Sequence, residues 1–220
     1  MQDDLKIAAA KAAISYVEEG SVVGVGTGST VNFFIAELAN IKHDIDGAVA
    51  SSKATKKLLL DFGIPVLDTN SQPDIPVYID GADEVIRSGY CLKGGGGALT
   101  QEKIVAAIAK KFICIVDEAK MVSVLGNQAA VSIEVMPEAR SYVGRQVIAI
   151  GGTPVYREGF ITDNGNIILD VYGLDLTDIH AVDVRLNNIT GLVCHGIFVA
   201  EKPATILVAG AGGVDVINCA

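Results

Sequence analysis

The chain has 220 residues, half of them hydrophobic but only 5% aromatic, with no Trp and a formal net charge of −9. This length is enough to bury a substantial core, and the acidic balance works against long-range attraction to nucleic-acid phosphates. No stretch approaches the ~20 continuous apolar residues of a membrane helix, and the acidic start Met1-Gln2-Asp3-Asp4 fits neither a signal nor a transit peptide.

Cys91, Cys114, Cys194 and Cys219 are widely spaced with no Cys-x-x-Cys pair, which predicts reduced thiols and a cytoplasmic protein. His43, His180 and His195 have no metal-ligand spacing, so no metal is expected.

In chain order, Asp3 or Asp4 is expected to cap a helix from about Leu5 to Glu18, ended by Gly20. A buried strand at Ser21 to Val25 enters the glycine-rich turn of residues 24–30, and an apolar helix runs on through Leu38. A strand near Ala48, a Lys-rich helix from Ser52 to Phe62, and strands at Ile64 to Leu67 and Val77 to Ile79 follow. Next come a helix from Thr100 to Lys111 and a strand from Phe112 to Val116. The alternation predicts an α/β fold, an open and mostly parallel sheet with helices on both faces.

The pattern changes after Gly126. Strands at 131–135, 153–156 and 167–171, with helices at 137–150 and 177–188, predict a smaller inserted α+β domain over residues 127–203. Residues 1–126 and 204–220 would form the main α/β domain, with the apolar segment Ala204 to Ala209 returning to its sheet.

Three segments have the chemistry of a ligand site. Thr27-Gly28-Ser29-Thr30 lies between a strand and a helix N-terminus, where free N–H groups, the helix dipole and hydroxyls attract an anion; an N-capped tight turn is the plainer reading. Asp80-Gly81-Ala82-Asp83 ends a strand, where two carboxylates could face a cleft and hold sugar hydroxyls, although Asp-Gly is also a common turn pair. Lys93 precedes four consecutive glycines, Gly94 to Gly97, an entropically costly run that suits a ligand lying against bare amides beside a positive charge; a mobile loop is the alternative. Glu102 follows in the next helix, with neither a capping-box partner nor an i+3 or i+4 cation.

Ser29 stands at the third glycine position of a dinucleotide fingerprint, and the chain contains no Gly-Lys pair for a Walker A loop. A sugar-phosphate sensor would need a DNA-reading module that the sequence does not show, and no CoA site is visible that would favour a transferase using Glu102.

Together, Gly-Val-Gly-Thr-Gly-Ser-Thr at 24–30, Asp-Gly-Ala-Asp-Glu at 80–84 and Lys-Gly-Gly-Gly-Gly-Ala-Leu-Thr-Gln-Glu-Lys at 93–103 resemble the ribose-5-phosphate isomerase A family in order and spacing. Ala-Arg-Ser at 139–141 and Thr-Asp-Asn-Gly-Asn at 162–166 also fit, whereas Ser51-Ser52-Lys53 and the extreme C-terminus match less clearly. The resemblance implies cofactor-free and metal-free interconversion of D-ribose 5-phosphate and D-ribulose 5-phosphate through an enediolate, in the non-oxidative pentose phosphate pathway. Glu102 falls on the family's general base, and the substrate-contacting segments fall on Thr27 to Thr30, Asp80 to Asp83, Lys93 to Gly96, and Lys120. Lys93 and the glycine amides would stabilise the oxyanion, Asp80 would assist ring opening or proton transfer, and Asp83 would position hydroxyls. Lys6 would help hold the phosphate. The implied partner is a sugar phosphate and the implied assembly a homodimer or homotetramer, built through the smaller domain, with neither nucleic acid nor membrane involved.

Overall fold

The structure is a computed structural model and describes residues 2–219. Its elements in order are α1 (Gln2–Ala13), β1 (Val22–Val25), α2 (Ser29–Leu38), β2 (Gly47–Ala50), α3 (Lys53–Asp61), β3 (Ile75–Asp80), β4 (Glu84–Val85) and β5 (Cys91–Leu92). Then follow α4 (Leu99–Ile108), β6 (Ala109–Asp117), β7 (Val131–Val135), α5 (Arg140–Ala149), β8 (Thr153–Tyr156) and β9 (Ile167–Tyr172). The chain ends with α6 (Ile179–Asn187), β10 (Leu192–His195), β11 (Ile197–Phe198), β12 (Thr205–Gly210) and β13 (Gly213–Asn218).

The main sheet has the order β13-β12-β6-β3-β1-β2. Its strands pair in parallel except for the antiparallel edge strand β13. Apolar side chains alternate between its two faces. Val77, Ile79, Ile113 and Ile115 pack with Ala9, Phe34, Ile35 and Leu38 of α1 and α2. Tyr78, Cys114 and Val116 pack on the opposite face with Val105 and Ala106 of α4. Helices therefore cover both faces, and the sheet's carboxyl end is left open for a ligand.

A second, antiparallel sheet runs β10-β7-β9-β8, and its core residues Ile133, Val135, Leu169 and Val171 pack against Val143 and Val147 of α5 and Val182 and Leu186 of α6. A small sheet of order β11-β5-β4 joins segments that precede and follow it.

Several expectations change at the element ends. The first helix begins at Gln2, so Asp3 and Asp4 sit inside its first turn, where their charges favour the dipole, and do not cap it. Residues 64–67 form no strand: Pro65 lacks an N–H, and Val66 makes only an isolated parallel bridge with Ala48. The helix after the glycines stops at Ile108, because Ala109 and Lys111 pair in register with Ile75 and Val77. In the 137–150 segment, a 3-10 turn at Pro137–Ala139 precedes α5. The edge strand β13, the strand β10 and the two-residue strands β4, β5 and β11 were not anticipated.

Candidate functional site at the carboxyl end of the main sheet

The turn after β1 is shaped by close packing. A Cβ at Gly26 would overlap the Asp80 carboxylate. With glycine there, the Thr27 N–H approaches and donates to Asp80 Oδ1 at 3.1 Å. Gly28 then has φ 131°, in the region that favours glycine, and leads into α2 without any side-chain cap. The first N–H groups of α2 are consequently left for an anion, with the helix dipole behind them.

The Thr27 hydroxyl does not add to these donors as expected. It lies 2.9 Å from the hydroxyls of both Ser51 and Ser52 and 3.1 Å from that of Thr55, while Thr55 donates to Gly26 O at 2.7 Å. This buried hydroxyl cluster fixes the turn, and its Ser51-Ser52 members are residues the sequence motifs did not single out.

Asp80 ends β3, two residues after Tyr78 and on the same face of the sheet. It is fully buried and lies behind Lys93 instead of lining the cleft, whereas the sequence reading has it act directly on the sugar. Its Oδ1 accepts from Thr27 N–H and from Gly81 N–H at 2.7 Å. Its Oδ2 accepts from the Tyr78 hydroxyl and from Lys93 Nζ, the latter at 2.7 Å. Four donors occupy both oxygens of this carboxylate.

Lys93, one residue past β5, is equally buried and donates to Gly81 O at 2.6 Å. Burial alone would pull its pKa down, but the Asp80 and Glu102 carboxylates outweigh that and hold the ammonium charged, above its ordinary value.

Glu102 sits in the first turn of α4, is 4% exposed, and approaches Lys93 Nζ at 3.5 Å. Its Oε2 has no hydrogen-bond partner among the described residues. Burial raises its pKa to about 8, against the opposing attraction of Lys93 and with help from the charges of Asp80 and Asp83. A buried carboxyl with a free oxygen and a pKa near neutrality is suited to taking up and returning a proton.

Asp83 is the carboxylate that the cleft does expose. Its Oδ2 accepts from Gly95 N–H at 2.8 Å, which ties the glycine run to the strand-end turn. Asp117 accepts from Ala119 N–H at 3.0 Å and so sets the short turn that presents Lys120.

These parts enclose a cleft of about 180 Å³, lined by Thr27, Gly28, Ser29, Thr30, Gly81, Ala82, Asp83, Lys93, Gly94, Gly95, Gly96, Glu102 and Lys120. Every site residue expected from the sequence thus lies on it except Asp80, which lies beneath. Lys6 lines it as well, joined by Gln2 and Val31, which carried no sequence signal. Glu84, the last residue of the strand-end motif, faces away and accepts from the N–H groups of Gly126, Gln128 and Ala129 at 2.6, 2.7 and 2.6 Å. Its role is to hold that loop. Among the described residues no group of three or more His, Cys, Asp or Glu is placed to hold a metal, and no helix is long and apolar enough to cross a membrane.

The family profile of ribose 5-phosphate isomerase A (phosphoriboisomerase A) matches residues 47–213. A ribose-5-phosphate isomerase A of Legionella pneumophila (strain Lens) is 59% identical over 212 residues, 96% of this chain and 98% of its own. The crystal structure of ribose 5 phosphate isomerase A from Neisseria gonorrhoeae is 42% identical and superposes with a TM-score of 0.97, covering 100% of this chain and 98% of that one. A D-ribose-5-phosphate isomerase in complex with phospho-erythronic acid is 33% identical, with a TM-score of 0.94 and 99% of both chains covered.

Proposed function

This chain belongs to the ribose 5-phosphate isomerase A family and interconverts D-ribose 5-phosphate and D-ribulose 5-phosphate, and we propose that Glu102 is the base that carries the proton. The observation that carries this assignment is its buried, unpartnered Oε2, 3.5 Å from a lysine ammonium, on a residue that lines the cleft. In the open-chain aldose Glu102 takes the C2 proton, leaving an enediolate charged on O1, and the O2 hydroxyl proton then passes from O2 to O1. The same carboxyl then returns the proton to C1 to give the ketose. General acid–base catalysis of this kind contributes about 10²–10⁴-fold.

Lys93 Nζ and the N–H groups of the glycine run stabilise the developing oxyanion, where one preorganised donor is worth about 3 kcal/mol. Asp83 uses its second oxygen to orient sugar hydroxyls. Asp80 acts through Lys93, which it fixes at 2.7 Å, and is a positioning residue. The uncapped start of α2, Ser29, Thr30, Lys6 and Lys120 surround the place for the phosphate.

We further assign the reaction to the non-oxidative pentose phosphate pathway in the cytoplasm. The segment 127–203 is the surface for a homodimer or homotetramer. Eight of the thirteen large apolar side chains exposed among the described residues lie in it, among them Val155, Tyr172 and Val193. Light scattering of the purified chain checks the assembly, and a monomer at micromolar concentration would refute it.

The test of the activity is conversion of ribose 5-phosphate by wild type with EDTA present. Rapid formation of the ketose is expected. A folded protein that binds the sugar phosphate and leaves it unchanged is a sensor instead.

A further inference from the structure

One arginine outside the cleft's inner wall grips the back of the glycine run. Arg157 directly follows β8, and its N–H donates to Ile168 O on β9 at 3.0 Å. Asp170 on β9 is in register with Val155 on one side and Ser132 of β7 on the other, so three adjacent strands deliver these groups to one place. The guanidinium donates from Nε to Asp170 Oδ2 at 2.8 Å and from NH2 to Asp170 Oδ1 at 2.6 Å. A further NH2 bond reaches Ser132 Oγ at 3.0 Å, and the ring of Phe160 lies 5.3 Å from the guanidinium carbon.

The remaining capacity of the fork goes to backbone carbonyls: Gly94 O at 3.3 Å from both NH1 and NH2, and Gly95 O at 3.2 Å from NH1. All peptides in the described residues are trans, so each carbonyl and the following N–H point in opposite directions. Holding Gly94 O on the Arg157 side aims Gly95 N–H at Asp83, which it reaches. Holding Gly95 O likewise aims Gly96 N–H away from Arg157, and that N–H has no partner among the described residues. Gly96 lines the cleft.

We propose that Arg157, clamped by Asp170, is a positioning residue for the isomerisation: it fixes the peptide planes of Gly94–Gly96 so that the Gly96 N–H is preorganised toward the oxyanion. The proposal rests on the isomerase reading of the cleft. Four glycines in succession have no intrinsic preference for this arrangement, so the orientation has to be imposed from outside. An ammonium cannot replace the fork, because Asp170 and both carbonyls are engaged simultaneously by a planar group.

The experiment measures kcat, KM and the inhibition constant of a phosphorylated aldonic acid for wild type, Arg157→Lys, Arg157→Ala and Asp170→Asn. Loosening a donor, as distinct from deleting it, predicts a kcat about 10- to 100-fold lower in each variant, with KM within about threefold. The inhibitor should weaken in step with kcat/KM, and millimolar guanidinium should restore part of the kcat of Arg157→Ala but not of Arg157→Lys. A kcat of Arg157→Lys within twofold of wild type overturns the proposal. So does a loss of activity that tracks a fall in melting temperature and is not rescued by guanidinium. If Arg157→Ala does not fold, Asp170→Asn, which keeps the guanidinium but frees it, carries the same expected split. An inactive wild type would instead remove the isomerase reading itself.

Discussion

Replacing Glu102 by Gln is expected to stabilise the protein while removing its activity. In the folded chain burial raises the Glu102 pKa from its ordinary 4.5 to about 8. Between these two values the folded state holds a proton that the unfolded chain has released, so stability falls with rising pH at about 1.4 kcal/mol per pH unit. The full contribution is present below pH 4.5 and is lost as pH rises through about 8. A neutral amide of the same shape does not incur this loss. The variant should therefore exceed wild type by under about 1 kcal/mol at pH 5, about 3 at pH 7 and about 4 at pH 8. At pH 7 that is a rise in melting temperature of about 6–12 °C for a chain of this size. Urea unfolding of both proteins at the three pH values measures the gap directly. A variant less stable than wild type at pH 8, or a gap that does not grow with pH, would falsify the claim that Lys93 only partly compensates a buried carboxyl at this position.

The same group sets the pH dependence of the reaction. Because the base must be ionised, log kcat/KM should fall by one per unit below pH about 8 and level off above it; a profile flat from pH 6 to 9 excludes Glu102 as the base. Asp80→Asn removes one of the charges that raise this pKa, so the acid limb should move to lower pH. Breaking the buried pair with Lys93 should also cost about 3–5 kcal/mol, so an unaltered melt and profile would show that Asp80 does not hold Lys93. Glu134 accepts from the side chains of Thr100, Thr162, Asn164 and Asn166, which joins the start of α4 to the second sheet. Glu134→Ala should cost at least about 3 kcal/mol in urea unfolding by stranding those donors, and a loss under about 1 kcal/mol would show that they re-pair with water.

The order of the site along the chain was legible because each segment breaks a local rule: glycines where a turn needs fewer, acids at the end of an apolar strand, a lysine before bare backbone. The division of labour between the two aspartates was only half legible. Residues two apart on a strand share a face, and Tyr78 and Asp80 follow that rule into the core. Asp83 lies beyond the strand, where no periodicity applies, and only the fold shows it facing the cleft. Arg157 carried no signal, because the two carbonyls it grips stand 63 and 62 residues away and any residue would supply them. Strands β4, β5 and β11 are two residues long, too short for alternation to be read. Lys110 and Lys111 read as helix, and their strand state is decided by pairing with β3.

The most direct test of the central claim is the turnover of ribose 5-phosphate by Glu102→Gln alongside its affinity for the sugar phosphate. Turnover should fall by at least about 10²-fold with binding within a few-fold of wild type. Near-normal turnover would contradict it and remove Glu102 from the chemistry.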